Sequence, residues 1–233
     1  MAILLSYLPL LDACHRRQGI VSPVVALGSQ QLPDPPSYLS AWAAERGYTA
    51  MAADPSVATL FRDRYGIDEY LDVDLNDDAA IRLDLSAPLP PELHGRAGTV
   101  LDGGTIEHIA DVRTVLENIH LLLRPGGTFV AFLPVAWWEH GFFTLNPRLF
   151  RAVAAANGWE PLAEGLWFRL HLPAVGTRFI TVVTREGEVR PRAKLWTDRL
   201  LNRVLPGRTI YCCCYRKVGD QPFIVPADVF GNW

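Results

Sequence analysis

The chain has 233 residues, 49% hydrophobic and 20% charged, with a formal charge of −3. At that length one domain, residues 1–233, is the default, and about 70% of the unfolded surface can be buried. No long basic run is present to neutralise phosphates and no stretch of about 18 apolar residues occurs, so nucleic acid and a membrane are excluded as expected partners and small molecules are preferred.

Residues 1–20 open with MAILLSYLPLLDACHRR. The run is apolar, but it has no positive n-region, contains Asp12 and offers no small-x-small cleavage site, so it reads as an amphipathic helical cap or lid and the location as cytoplasmic. SPVVALGS (22–29) is a β-branched run ending in glycine, and after a Pro-rich turn SYLSAWAAERG (37–47) is helical. A second helical piece, PSVATLFRDRYG (55–66), leads to three strand-like runs, EYLDVDL (69–75), AIRLDLS (80–86) and GTVLDGG (98–104). Residues 111–127 place Val112, Val115, Leu116 and Ile119 on one helical face, with Asp111 as N-cap and Pro125-Gly126-Gly127 as the stop. TFVAFLPV (128–135) then reads as a fully buried strand.

Strands alternating with amphipathic helices predict a parallel sheet with helices on both faces. Beyond Pro147 come a helix at 147–158, strands within LWFRLHL (166–172) and RFITVVTRE (178–186), a helix at 193–205 and a last strand, RTIYCCCYRKV (208–218). Strict alternation is lost there, which points to antiparallel strands at one edge. Cys212, Cys213 and Cys214 alternate faces on such a strand, so they cannot cage an ion by themselves, and with Cys14 they read as small buried hydrophobes in a reducing compartment.

In an open α/β sheet a ligand lies beyond the carboxyl ends of the strands. The residues there are Gly28-Ser29-Gln30, Asp72, Asp84 with Leu85, and Asp102-Gly103-Gly104. A carboxylate ending the second strand suits the two hydroxyls of a ribose, and glycine ending the first admits close approach of a ligand, which points to a nucleoside-bearing molecule.

From EYLDVD through RLDLSAPLPPEL, TVLDGGTIEHI, LLLRPGGTFVAFLP and HGFFTLNPRLFRAVAAANGWE, roughly residues 67 to 160, the chain resembles class I S-adenosylmethionine (SAM)-dependent methyltransferases, in particular bacterial members with a DGGTxEH and HGFF pattern. The resemblance implies a Rossmann-like α/β fold, a mostly parallel sheet of about seven strands with an antiparallel C-terminal edge, and SAM as cosubstrate or substrate. It implies that Asp72 holds the ribose hydroxyls, that Asp84 holds the adenine amino group with Leu85 on the ring, and that Asp102, Gly103 and Gly104 form the floor under the methionyl part. The chain departs from the family after the first strand, where LGSQQLPDPP stands for a glycine-rich turn and Ser29 and Gln30 are left to bind the methionyl carboxylate.

Two further stretches carry chemistry. Glu107 and His108 are adjacent and diverge by about 100° on an α-helix, so no metal is expected there. The alternatives are a helix-entry role and a place on the pocket rim, where His108 meets cofactor. PVAWWEHGFF (134–143) gathers Trp137, Trp138, Phe142 and Phe143 around Glu139 and His140 at the end of the fifth strand. There Trp137 and Trp138 would face a sulfonium by cation–π attraction, His140 would take an acceptor proton, and Glu139 would bind a substrate amine or tune His140.

The sequence thus predicts a transferase of secondary metabolism that methylates oxygen or nitrogen of a small molecule by direct SN2 displacement, with a homodimer left open. One alternative is a cyclase that consumes SAM and releases methylthioadenosine, as in azetidine-2-carboxylate formation. Another is an inactive binding protein of the same fold.

Overall fold

A computed structural model describes residues 2–137, 139–172, 176–186 and 208–227, with backbone alone for 170–172 and 176–186. Trp138, and the helix expected at 193–205 with Trp196, lie outside the described residues. No described helix is long and apolar enough to cross a membrane.

One sheet organises the described residues. Its strands are β1 (Val24–Leu27), β2 (Tyr70–Asp74), β3 (Ile81–Arg82), β4 (Ala97–Asp102), β5 (Leu123–Trp137), β6 (Trp159–Leu172), β7 (Gly176–Glu186) and β8 (Arg208–Lys217). Their spatial order is β3-β2-β1-β4-β5-β8-β6-β7, eight strands where about seven were expected. β3, β2, β1, β4 and β5 are mutually parallel. The C-terminal strands form the expected antiparallel edge, out of chain order: β8 inserts between β5 and β6 and runs against both, and β7 pairs antiparallel with β6 at the rim. The chain order reverses between β1 and β4, the switch point at which α/β sheets open a crevice. This is a Rossmann-like α/β architecture with a mostly parallel sheet.

The strand alternation sorts side chains into two cores. Val24 and Ala26 of β1, Val130 and Phe132 of β5, and Cys212 and Cys214 of β8 meet the helices α1 (Leu8–Arg16), α2 (Pro36–Ala44), α3 (Thr49–Ala53) and α4 (Val57–Tyr65) through Leu10, Leu39, Met51 and Leu60. Val25, Leu27, Phe129, Ala131 and Cys213 face the other way, against α5 (Val112–Leu122) and α6 (Pro147–Ala156) through Val115 and Phe150. The four cysteines are free and buried, one strand's run serving both cores.

Local signals set the helix ends. Asp111 caps α5 by accepting from the Thr114 amide, and Ser56 and Thr59 close a capping box on α4 that ends at Gly66 in the left-handed region. α5 stops at Leu122, ahead of the Pro-Gly-Gly expected to end it, because Leu123 already pairs with Ala97 of β4. The N-terminal segment is a wall of the molecule: Ile3 is fully buried and donates its amide to the Gln31 carbonyl, and Tyr7 stacks on Phe132 of β5 at 4.4 Å.

Candidate active site

β4 delivers Asp102, Gly103 and Gly104 to the crevice, and the chain then makes a single 3-10 turn, Ile106–His108, before α5 begins. The tight turn follows from Asp102, whose buried Oδ1 accepts from the amides of Gly104 and Thr105 at 3.1 and 2.7 Å. Asp102 is thereby a fully buried turn organiser, with Oδ2 left without a partner. The turn drives Glu107 inward to 1% exposure and leaves His108 at the rim.

β5 delivers Trp137, and the following loop doubles back. Glu139 and Gly141 both take left-handed backbone, φ 55° and 73°. Between them His140 turns onto Trp137, their rings parallel at 3.8 Å. The loop is tied to the β4 side by the amides of Phe142 and Phe143, which donate to the Glu107 carbonyl at 2.7 and 3.3 Å. Gly141 is required there, since a Cβ would lie 2.7 Å from that carbonyl oxygen. The two stretches of sequence that seemed separate are therefore one site: His140 Nε2 stands 3.4 Å from Glu107 Oε1, and the His108 and His140 rings meet edge to face at 5.1 Å.

These groups open on a cavity of ≈ 500 Å³. Tyr7, Phe132, Trp137 and Trp167 give it aromatic walls, Gly103 and Gly104 a floor, and Arg169 and Arg208 a basic edge. Arg208 lies over the Trp137 ring at 4.6 Å. Burial, and then repulsion by Asp102, pushes the Glu107 carboxyl well above the usual carboxylate range. Burial also pushes Asp102 up, against the pull of its backbone donors. His108 and His140 are pulled below the ordinary imidazole value by burial, His140 further by His108 and Arg208. Glu107 Oε2 is buried without a hydrogen-bond partner.

The carboxylates named for adenosine lie outside this cavity, on the β1–β2 side of the switch point. Asp72 accepts from Ser29 Oγ at 2.6 Å and from the Ala80 amide at 2.9 Å. Asp74, two residues on and overlooked in the sequence, accepts from the Ser29 amide at 2.8 Å and is held acidic by it. The short β1 turn is thus stitched to β2 by two carboxylates in place of a glycine-rich turn, and Gly28 keeps its left-handed φ of 72°. Gln30 donates to the Leu27 carbonyl at 2.7 Å and leaves Oε1 buried and unpartnered beside Gly103, where a Cβ would lie 2.1 Å from it. Asp84 is exposed and accepts from Ser86. Leu85 is 5% exposed and packs in the core rather than presenting a free face for a ring.

Glu139, expected to act beside His140, has an exposed side chain that does not line the cavity; the carboxylate facing His140 is that of Glu107. Adjacency in sequence does not keep these residues apart. Glu107 and His108 lie in a 3-10 turn, and the loop after β5 brings His140 to them, so that one ligand atom of each of the three lies within 4.8 Å of the others. Tyr7, Trp167, Arg169 and Arg208 carried no local motif and become neighbours only through the β8 insertion.

No protein-family model and no curated protein matches the chain. Among solved structures it is similar to a SAM-dependent methyltransferase from Archaeoglobus fulgidus, 14% identical with a TM-score of 0.47 over 90% of this chain and 94% of that one. It is similar also to 1,6-didemethyltoxoflavin-N1-methyltransferase from Burkholderia thailandensis, solved with 1,6-didemethyltoxoflavin and S-adenosylhomocysteine, at 17% identity and TM-score 0.44 over 92% and 79%. Against the citrinin polyketide synthase CMeT domain the identity is 14% and the TM-score 0.38, over 70% of this chain and 46% of that one, so it spans less than half of that longer chain. These likenesses are of architecture, at identities that transfer neither residue roles nor substrates.

Proposed function

We propose that the chain is a SAM-dependent transferase that methylates an oxygen or nitrogen of a small molecule held in the aromatic cavity. The observation that carries this reading is the switch-point crevice itself. It joins a carboxylate-bearing β2 end to a glycine floor beside which the Gln30 Oε1 and Asp102 Oδ2 acceptors are buried without donors. A nucleoside carrying two hydroxyls and an ammonium group is the kind of donor such acceptors require. In this reading Asp72, in company with Asp74 and Ser29, takes the ribose, Asp84 the adenine edge, and Gln30 with Gly103 and Gly104 the methionyl end.

Bound in this way, SAM supplies an electrophilic methyl group next to the cavity. The chain's own residues do the rest by position. Trp137 and Phe132 wall the chamber and exclude water; the Trp137 faces are already taken by His140 and Arg208. His140 and Glu107 stand where the acceptor's reacting atom would be held, while Arg169 and Arg208 favour a flat acceptor with an anionic substituent. A chamber of ≈ 500 Å³ beside the floor has room for a second molecule, which favours transfer over cyclisation of SAM on itself.

Calorimetric titration with SAM and S-adenosylhomocysteine tests the reading, followed by chromatography of the nucleoside formed with cell extract. Binding of both and release of S-adenosylhomocysteine are expected. Methylthioadenosine in its place would convict the cyclase alternative, and no binding of either ligand would leave only the inactive-fold alternative.

A further inference from the structure

We propose that Glu107, His108 and His140 form a binding site for one divalent transition-metal ion at the mouth of the cavity. Each residue offers a ligand atom and the three atoms lie within 4.8 Å of one another. The Glu107 Oε1 to His140 Nε2 distance of 3.4 Å already equals that between two ligands sharing an ion at about 2.0–2.2 Å from each. His108 completes the set, its ring lying edge-on to that of His140 at 5.1 Å.

A second observation points to a ligand independently of the clustering. Glu107 is 1% exposed, and its Oε2 is buried without any hydrogen-bond partner. Buried carboxyl oxygens are ordinarily satisfied, and one left open is costly unless a cation or donor completes it. The backbone is shaped around that carboxylate as well. A Cβ on Gly104 would come 3.0 Å from Glu107 Oε1, and one on Gly141 would come 2.9 Å from Glu107 Cγ.

The donor set selects the class of ion. One carboxylate and two imidazoles suit Zn²⁺, Co²⁺, Fe²⁺ or Ni²⁺, whereas Mg²⁺ and Ca²⁺ prefer all-oxygen surroundings. Three protein ligands leave at least one coordination position open, and the site opens on the chamber, so the position faces the acceptor. An acceptor oxygen bound there would lose its proton at neutral pH more readily than in water. Two chain segments far apart in sequence, the turn after β4 and the loop after β5, must dock to assemble the site, and the Phe142 and Phe143 amides on the Glu107 carbonyl hold them docked.

The test uses the full chain stripped of metal with EDTA and titrated with Co²⁺, then Zn²⁺, with no SAM in any arm, so its failure is distinct from failure of the transferase reading. One equivalent of Co²⁺ should produce visible d–d bands of a four- or five-coordinate site, Zn²⁺ should abolish them and raise the melting temperature, and Mg²⁺ should do neither. Glu107→Gln and His140→Ala should each weaken Co²⁺ binding by about 100-fold, and His108→Ala should do so by at least about tenfold. Circular dichroism of each metal-free variant is recorded first, and His108→Ala, at the exposed rim, is the variant to rely on if Glu107→Gln does not fold. Absence of Co²⁺ bands in the wild type overturns the proposal. So does unchanged binding in folded variants, which would place the ion on other histidines.

Discussion

Two glutamates are buried against the same sheet and are answered in opposite ways. Glu164 of β6, 4% exposed, has both oxygens engaged. Arg151 of α6 reaches it at 2.9 and 3.1 Å, and Tyr211 and Tyr215 of β8 donate at 2.8 and 2.6 Å. Burial pulls its carboxyl up, but Arg151 and the tyrosines outweigh that and hold it below the usual range. Glu107 has no arginine or tyrosine on Oε2, and its carboxyl is held above the usual range. The protein has completed one charge itself and has left the other for something it binds. That difference, rather than burial alone, separates a structural carboxylate from a functional one.

The sharpest way to break the comparison is to neutralise both. Glu107→Gln should lower SAM turnover in cell extract by about 100-fold or more and leave the melting temperature of the metal-free protein unchanged or higher. A destabilised but active variant would reverse the two roles. Next in size, Asp72→Ala should raise the Kd for SAM about 30- to 100-fold by calorimetry, the worth of hydrogen bonds to a charged group. An unchanged Kd would remove Asp72 from the adenosine site.

Glu164→Gln should cost about 2 kcal/mol in urea unfolding, less than the full value of a broken buried pair because Arg151 is half exposed. SAM binding should survive in the folded protein. The pH dependence sharpens this. A depressed carboxyl stabilises fully above its unfolded value and loses that contribution as pH falls through the folded one. The melting-temperature gap between wild type and Glu164→Gln should therefore close on acidification from neutral pH; a constant gap would mean that the pair acts by shape alone. The smallest effect is expected at Asp84, exposed and already engaged by Ser86, where Asp84→Asn should change the SAM Kd by less than about threefold.

Much of the fold was legible because strand ends announce themselves. Asp102 and Gly28 close their strands as turn chemistry predicts, whereas β2 runs on past Asp72, its expected end, to Asp74; Asp111 caps α5 where the periodicity begins. The insertion of β8 between β5 and β6 was not legible, since pairing partners are not encoded in local alternation, and with it went the cavity walls at Trp167, Arg169 and Arg208. At the site the residue types were visible but their directions were not. Adjacent Glu107 and His108 diverge along a helix and meet His140 because the loop after β5 folds back onto the turn, its Phe142 and Phe143 amides on the Glu107 carbonyl. Likewise Glu139 has the better sequence position beside His140, but its left-handed backbone faces it to solvent.

Tyr7 lies stacked on Phe132 and edge-on to Trp167, and the Trp167 indole donates to Ser6. Residues of the N-terminal segment thus lean on one of the later strands, 161 positions downstream. Contacts so distant along the chain form late. In chain order the part of the crevice drawn from β1, β2 and β4 therefore precedes the chamber walls at Trp137, Trp167, Arg169 and Arg208, and the chamber is completed only when the last strand is in place.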